Sequence, residues 1–145
     1  MSWKPLPNVT RWLGLAEKWS KQTGVPVSLI LATIHQESGG KHDAVRVEPE
    51  YIKTYGSSAK FQNIISRTGL TPKEVASSYG LMQLMVPTAW GYLSERHKGA
   101  NVIEILKDPD MGIRYGTAHL LTMMRKSKDI KVIAGAYNGA GANSQ

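Results

Sequence analysis

Glu37 is the most informative residue in this chain. The run Val27, Ile30, Leu31 and Ile34 has the i, i+3, i+4, i+7 spacing of a core-facing helical stripe. Glu37 follows Ile34 by three positions and Ile30 by seven, so it lies on the same stripe. Gly39 and Gly40 then end the helix, as glycines do at C-caps. Desolvation and the negative end of the helix dipole both disfavour a charge there. Both raise the pKa toward a group that holds a proton near neutral pH, which is what a general acid requires. A lone glutamate at a helix end is more simply a solvated one, so the rest of the chain must supply its company. Three segments do: Glu37-Ser38, Gly80-Leu81-Met82-Gln83 and Ala136-Tyr137-Asn138-Gly139. Taken singly, Met82 and Tyr137 read as core packing, and Gln83 and Asn138 as capping or loop hydrogen bonding.

The elements that must position these residues are nearly all helical. Val9, Trp12, Leu13, Ala16 and Trp19 form one apolar stripe that ends before Gly24. The Glu37 helix follows, with Pro26 near its start. Residues 41–79 are more polar and less regular. Within them Thr71-Pro72-Lys73-Glu74 reads as a capping box opening a short helix to about Ser78. Phe61, Ile64 and Ile65 predict another short helix just before it, while the region of Tyr51 and Tyr55 reads as a small hairpin or an irregular loop. Residues 80–85 form a compact apolar segment, and Pro87 opens a helix through Leu93. Val102, Ile103, Ile105 and Leu106 predict a small helical piece. Asp108-Pro109 reads as an N-cap with proline behind it. The helix that follows carries Ile113, Thr117, Leu120, Leu121 and Met124 on one face. Asp129 is expected to cap a last helix with the stripe Ile130, Ile133, Ala134 and Tyr137, ended by Gly139. No repeat, low-complexity tract or linker is visible, so residues 1–145 are expected to form a single domain.

At 145 residues, 41% hydrophobic and 20% charged, the chain is a globular protein of one-domain size. It contains no cysteine, which excludes disulfides, thiolate metal sites and cysteine nucleophiles. No apolar stretch approaches the roughly 20 residues of a membrane span. Residues 1–8 hold a lysine but no apolar h-region, so no signal peptide is expected. The net charge of +7 favours polyanionic partners: nucleic acid, anionic membrane or bacterial cell wall. The cluster Arg125, Lys126, Lys128 and Lys131 reads as a solvated face. No DNA-reading motif is present, so nucleic acid is not an expected partner. No His, Asp and Glu spacing resembles a metal site, so neither metal nor cofactor is expected.

In order and chemistry, the three segments resemble the lytic transglycosylases of the soluble (SLT) type, relatives of goose-type lysozyme. The stretch from Tyr79 through Met85 with Pro87-Thr88-Ala89 behind it, and Asp108-Pro109 followed by Ile113 and Gly116, extend the resemblance. It covers roughly residues 25–139, apart from the middle of 41–78. The resemblance implies a mainly α, lysozyme-like helical domain with a substrate cleft. It implies Glu37 as catalytic acid and base, with Ser38 positioning the substrate or the Glu37 carboxyl. Met82 and Gln83 would line the sugar groove. The Tyr137 hydroxyl would approach Glu37, and Asn138 would help hold the site. Two features depart from the family. The span from Glu37 to Gly80 is longer than usual, contains Arg46, Glu48, Glu50, Tyr51 and Tyr55, and is expected to form an extra lobe over the cleft. Gly112 and His119 stand where asparagine and tyrosine are usual. Gly112 cannot supply a side-chain hydrogen bond, and His119 reads as a satisfied helix residue.

The substrate the resemblance implies is the glycan strand of peptidoglycan, cut between N-acetylmuramic acid and N-acetylglucosamine by a monomer. Most glycosidases use two carboxylates, and here the motifs supply one. One suffices where the sugar's own C6 hydroxyl closes a 1,6-anhydro ring. A lysozyme-type hydrolase would instead need Asp43, Glu48 or Glu50 to activate water from the other side of the sugar. A non-catalytic wall-binding module would keep the groove without the chemistry. Delivery as a phage lysis or virion protein is the expected route to the wall.

Overall fold

In a computed structural model, residues 7–127 are described. The expected final helix, with Asp129, Tyr137, Asn138 and Gly139, lies outside them. The protein is mainly α-helical with one small sheet. Helix α3 (Val27–Ser38) is its axis: Leu29, Ile30, Leu31 and Ile34 are buried, as the stripe predicts. Gly39 ends it in the left-handed conformation, its N–H donating to the Ile34 carbonyl at 3.1 Å.

The first apolar stripe is split into α1 (Pro7–Thr10) and α2 (Leu13–Thr23). The break at Trp12 turns its indole so that Nε1 donates to the Gly40 carbonyl at 2.9 Å, and it leaves Leu13 exposed. Trp19 on α2 donates Nε1 to Asp110 at 2.7 Å, and Lys18 pairs with the same carboxylate at 2.9 Å. These contacts bind α2 to the start of α9 (Pro109–Lys126).

Residues 41–79 hold β1 (Val45–Val47), α4 (Pro49–Tyr55), α5 (Ala59–Thr68), α6 (Pro72–Val75) and β2 (Ser77–Tyr79). The Tyr51–Tyr55 region is therefore a helix, neither hairpin nor loop. Pro49 presets its first turn, and Tyr51 stacks on Tyr55 four residues later, ring centroids 4.6 Å apart. Helix α6 has both arms of the predicted capping box: Glu74 N–H donates to Thr71 Oγ1 at 3.1 Å, and Thr71 N–H to Glu74 Oε1 at 2.9 Å. That helix stops at Val75, because the next residues enter the sheet. Phe61, Ile64 and Val75 join the same buried cluster as the α3 stripe.

The sheet is antiparallel in the order β1-β2-β3, with β3 spanning Leu84–Met85. Arg46 pairs with Ser78, and Ser78 with Met85. Its strands are two or three residues long, too short to show a period of two, and the 77–79 strand is buried on both faces. Between β2 and β3, residues 80–83 make a tight turn. The helix predicted over 87–93 is shorter, α7 (Val86–Ala89), and a turn with Leu93 N–H on the Ala89 carbonyl closes it. A 3-10 turn (Glu95–His97) and α8 (Val102–Lys107) follow.

Helix α9 is capped as predicted: Asp108 Oδ2 accepts the Met111 N–H at 3.0 Å. Ile113, Thr117 and Leu120 are buried, while Leu121 and Met124 are partly so. Gly112 has a different use from a hydrogen bond. A Cβ there would come within 2.8 Å of the Leu106 carbonyl oxygen, so glycine lets α9 pass close to the end of α8.

Gly80 has φ +84°, and a Cβ on it would lie 2.1 Å from the Leu106 carbonyl oxygen. Gly24 has φ +83° with open space around it. Gly24→Ala should therefore cost about 1 kcal/mol, the left-handed penalty alone. Gly80→Ala should cost clearly more, on the order of 3 kcal/mol, because backbone must also move. Urea denaturation of the two variants checks the difference.

Candidate active site

Glu37 occupies the last turn of α3, one residue before its end, and is half-buried. The core residues Ile30 and Ile34 hold the helix, so the carboxyl is carried to the boundary between core and solvent. Burial raises its pKa above the ordinary value of 4.5; Arg46 opposes this by attraction, and the Glu48 charge adds to it by repulsion.

Ser38, the next residue, faces the turn that follows β2. Its Oγ donates to the Leu81 carbonyl at 2.7 Å and accepts the Gly40 N–H at 3.1 Å. The loop after α3 and the 80–83 turn are thereby tied at one hydroxyl. Gln83 is the one non-glycine residue at positive φ, +51°, among the described residues. It is 4% exposed, and its Nε2 donates to the carbonyls of Ala44 (3.0 Å) and Gly80 (2.9 Å). Those two bonds fasten the turn to the chain entering β1. Met82 is 1% exposed and packs against Gly116, where a Cβ would meet its Sδ at 2.4 Å. Ser38, next to Glu37, is thus joined to the 80–83 turn that carries Met82 and Gln83. Arg46 lies on β1 and Glu48 just after it.

A family model of the transglycosylase SLT domain matches residues 14–145. The chain belongs to the SLT transglycosylase family. No curated protein and no solved structure matches it. The SLT family acts on peptidoglycan as lytic transglycosylases, and the mainly α architecture agrees with a lysozyme-like domain. The match includes Glu37, Ser38, Met82 and Gln83, and also Tyr137 and Asn138, which lie outside the described residues. Among the described residues no helix is long and apolar enough to cross a membrane.

His119, at the unusual position for an SLT domain, lies inside α9. Its Nδ1 is 2.9 Å from the Tyr92 hydroxyl, and burial pushes its pKa down to about 4. It is neutral near pH 7. An open depression of about 300 Å³, lined by His42, Asp43, Glu104, Lys107, Asp108 and Pro109, does not include Glu37. Ser78, which donates to Glu48, was not singled out in the sequence, and Arg46 and Glu48 stood there only as members of the long segment after Glu37. In the extended chain Arg46 and Glu48, two residues apart, share one face, but a strand this short gives no signal of its own in the sequence.

The raised pKa of Glu37 has a stability consequence. The folded state holds this proton more tightly than the unfolded chain, so the stabilisation is complete below 4.5 and is lost as pH rises through the folded value. Glu37→Gln, which cannot ionise, should melt at a higher temperature than the wild type at neutral pH. The gap should close as pH falls below 4.5. Melting curves across pH, recorded for both proteins, test this.

Proposed function

We propose that this SLT domain cleaves the bond from N-acetylmuramic acid to N-acetylglucosamine in peptidoglycan and leaves a 1,6-anhydro end, with Glu37 as acid and then base. The observation that carries the reading is the half-buried Glu37 carboxyl, held by burial toward its protonated form, in a chain of this family.

Glu37 gives its proton to the glycosidic oxygen. The bond from that oxygen to the muramoyl anomeric carbon breaks, and the N-acetylglucosamine side leaves with its hydroxyl. The N-acetyl oxygen of the muramoyl residue bonds to the electron-poor anomeric carbon. The Glu37 carboxylate then takes the proton from the C6 hydroxyl. That oxygen attacks the anomeric carbon, the N-acetyl oxygen departs, and Glu37 is protonated again. No water is consumed. Because one group serves both steps, its proton affinity must suit both.

In this reading Ser38 holds the Glu37 end of α3 against the Leu81 carbonyl. Met82 and Gln83 shape the groove from below, and Tyr137 and Asn138 keep the roles that the resemblance gives them. The +7 charge suits a wall rich in anionic groups. The chain works as a monomer on glycan strands, delivered as a phage lysis or virion protein. The hydrolase alternative is less well supported. Glu50 is 74% exposed in its side chain and pairs with Lys53, and a Glu48 oxygen already accepts two hydrogen bonds.

Mass spectrometry of fragments from purified peptidoglycan tests the reading. Anhydro-muramoyl ends, lighter by one water than reducing ends, are expected. Glu37→Gln should fold and lose roughly 10²-fold or more of the activity. Reducing ends would turn the assignment to a hydrolase, and a fully active Glu37→Gln would remove Glu37 from the chemistry.

A further inference from the structure

Glu48 is charged, yet only 6% exposed. It follows β1 directly, and its backbone N–H donates to the Ala76 carbonyl at 2.8 Å, which continues the sheet by one residue. Its Oε2 accepts from Arg46 Nε at 2.6 Å and from Ser78 Oγ at 3.1 Å. The register explains the trio. Arg46 pairs with Ser78 across the strands, and Glu48 stands two residues from Arg46, on the same face. A buried carboxylate fixed in this way holds its partners, because losing either leaves a charge poorly satisfied.

Arg46 is about half-exposed, and its Nε is engaged by Glu48. Its terminal nitrogens make no hydrogen bond among the described residues. The strand that carries it is tied to the Glu37 end of α3 by short links. The Ala44 carbonyl accepts from Gly80 N–H at 2.9 Å and from Gln83 Nε2, while the Leu81 carbonyl accepts from Ser38 Oγ.

We propose that Arg46 and Glu48 are positioning residues for Glu37: Glu48, anchored by Ser78, clamps the Arg46 guanidinium so that a fixed cation stands beside the acid. The inference rests on the reading of Glu37 as acid and base, and it adds how one residue serves both steps. Burial keeps the proton on Glu37 before cleavage. Once the proton is given up, Arg46 attracts the new carboxylate, while Glu48 keeps that attraction from becoming a full ion pair. Arg46 and Glu48 are the charged groups found to act on Glu37 among the described residues. Around them, α3 itself contributes His35, the loop after it Lys41, His42 and Asp43, residues 80–85 and α1 no charge, and α2, packed along α3, Glu17, Lys18 and Lys21, with Arg11 just before it.

The test uses Arg46→Gln, Arg46→Lys and Glu48→Gln in the full chain. Carbon NMR follows the Glu37 carboxyl titration, assigned by its loss in Glu37→Gln. The pH profile of anhydro-product formation is read beside it. Arg46→Gln removes an attraction for the carboxylate, so the titration and the alkaline limb of the profile should move to higher pH. Glu48→Gln removes a repulsion and frees Arg46 for Glu37, so both should move to lower pH. Arg46→Lys keeps the charge and should return both toward wild type. Opposite movements support the pair, since a merely structural role would lower melting temperature without moving the titration in two directions. An unmoved titration in the folded variants overturns it. Should Glu48→Gln fail to fold, the comparison of Arg46→Gln with Arg46→Lys decides. A titration that moves as expected in a protein that makes no anhydro product would leave the pair standing and sink the assignment of Glu37. Anhydro product with an unmoved titration would do the reverse.

Discussion

Keeping the Glu37 carboxyl at the edge of an apolar core, partly withdrawn from water, is the constraint around which this molecule is built. Helix α3 meets it by burying Leu29, Ile30, Leu31 and Ile34 and carrying Glu37 in its last turn. The apolar contacts that hold the helix also fix how far the carboxyl is withdrawn from water. That withdrawal works against folding above the ordinary carboxylate range, and the rest of the buried cluster offsets it.

The small sheet matters more than its size implies. It brings three parts of the chain to the Glu37 end of α3: the strand after the helix, the strand before Gly80, and the strand after Gln83. Backbone carbonyls serve as the joints. Ala44, Gly80 and Leu81 each accept a side-chain hydrogen bond from Ser38 or Gln83. Polar side chains in an SLT domain that would pass for sugar contacts thus also hold the backbone around the acid. Close packing completes the frame: α9 approaches the turn because Gly116 leaves room for Met82, and Gly80 turns under the Leu106 carbonyl.

Charge is used sparingly beside the acid. Among the described residues, Arg46 is the cation that acts on Glu37, and its Nε is held by the buried Glu48. Other cations sit over indole rings, with Lys18 and Arg114 against Trp19 and Arg67 and Lys98 against Trp90. The general positive charge and the local electrostatics of the site are separate matters.

Much of this was legible before any coordinates. Periodicity located α3, α5, α8 and α9, and capping chemistry located the starts of α6 and α9, because these signals are local and repeat every few residues. Glu37 was legible because an acidic residue interrupted an apolar stripe at a glycine stop. What the sequence could not show depends on contacts between distant segments. Strands of two or three residues carry no readable period, so the sheet was missed, and Tyr51 and Tyr55 were read without the helix that stacks them. The role of Gly112 needed the carbonyl of Leu106 beside it. By itself, then, the sequence determined the helical class and the family motifs, Glu37 among them, since each is written in neighbouring residues. Tertiary structure alone decided that Arg46, Glu48 and Ser78 meet on one sheet face near that acid. Strand register, a long-range pairing, sets which side chains share a face.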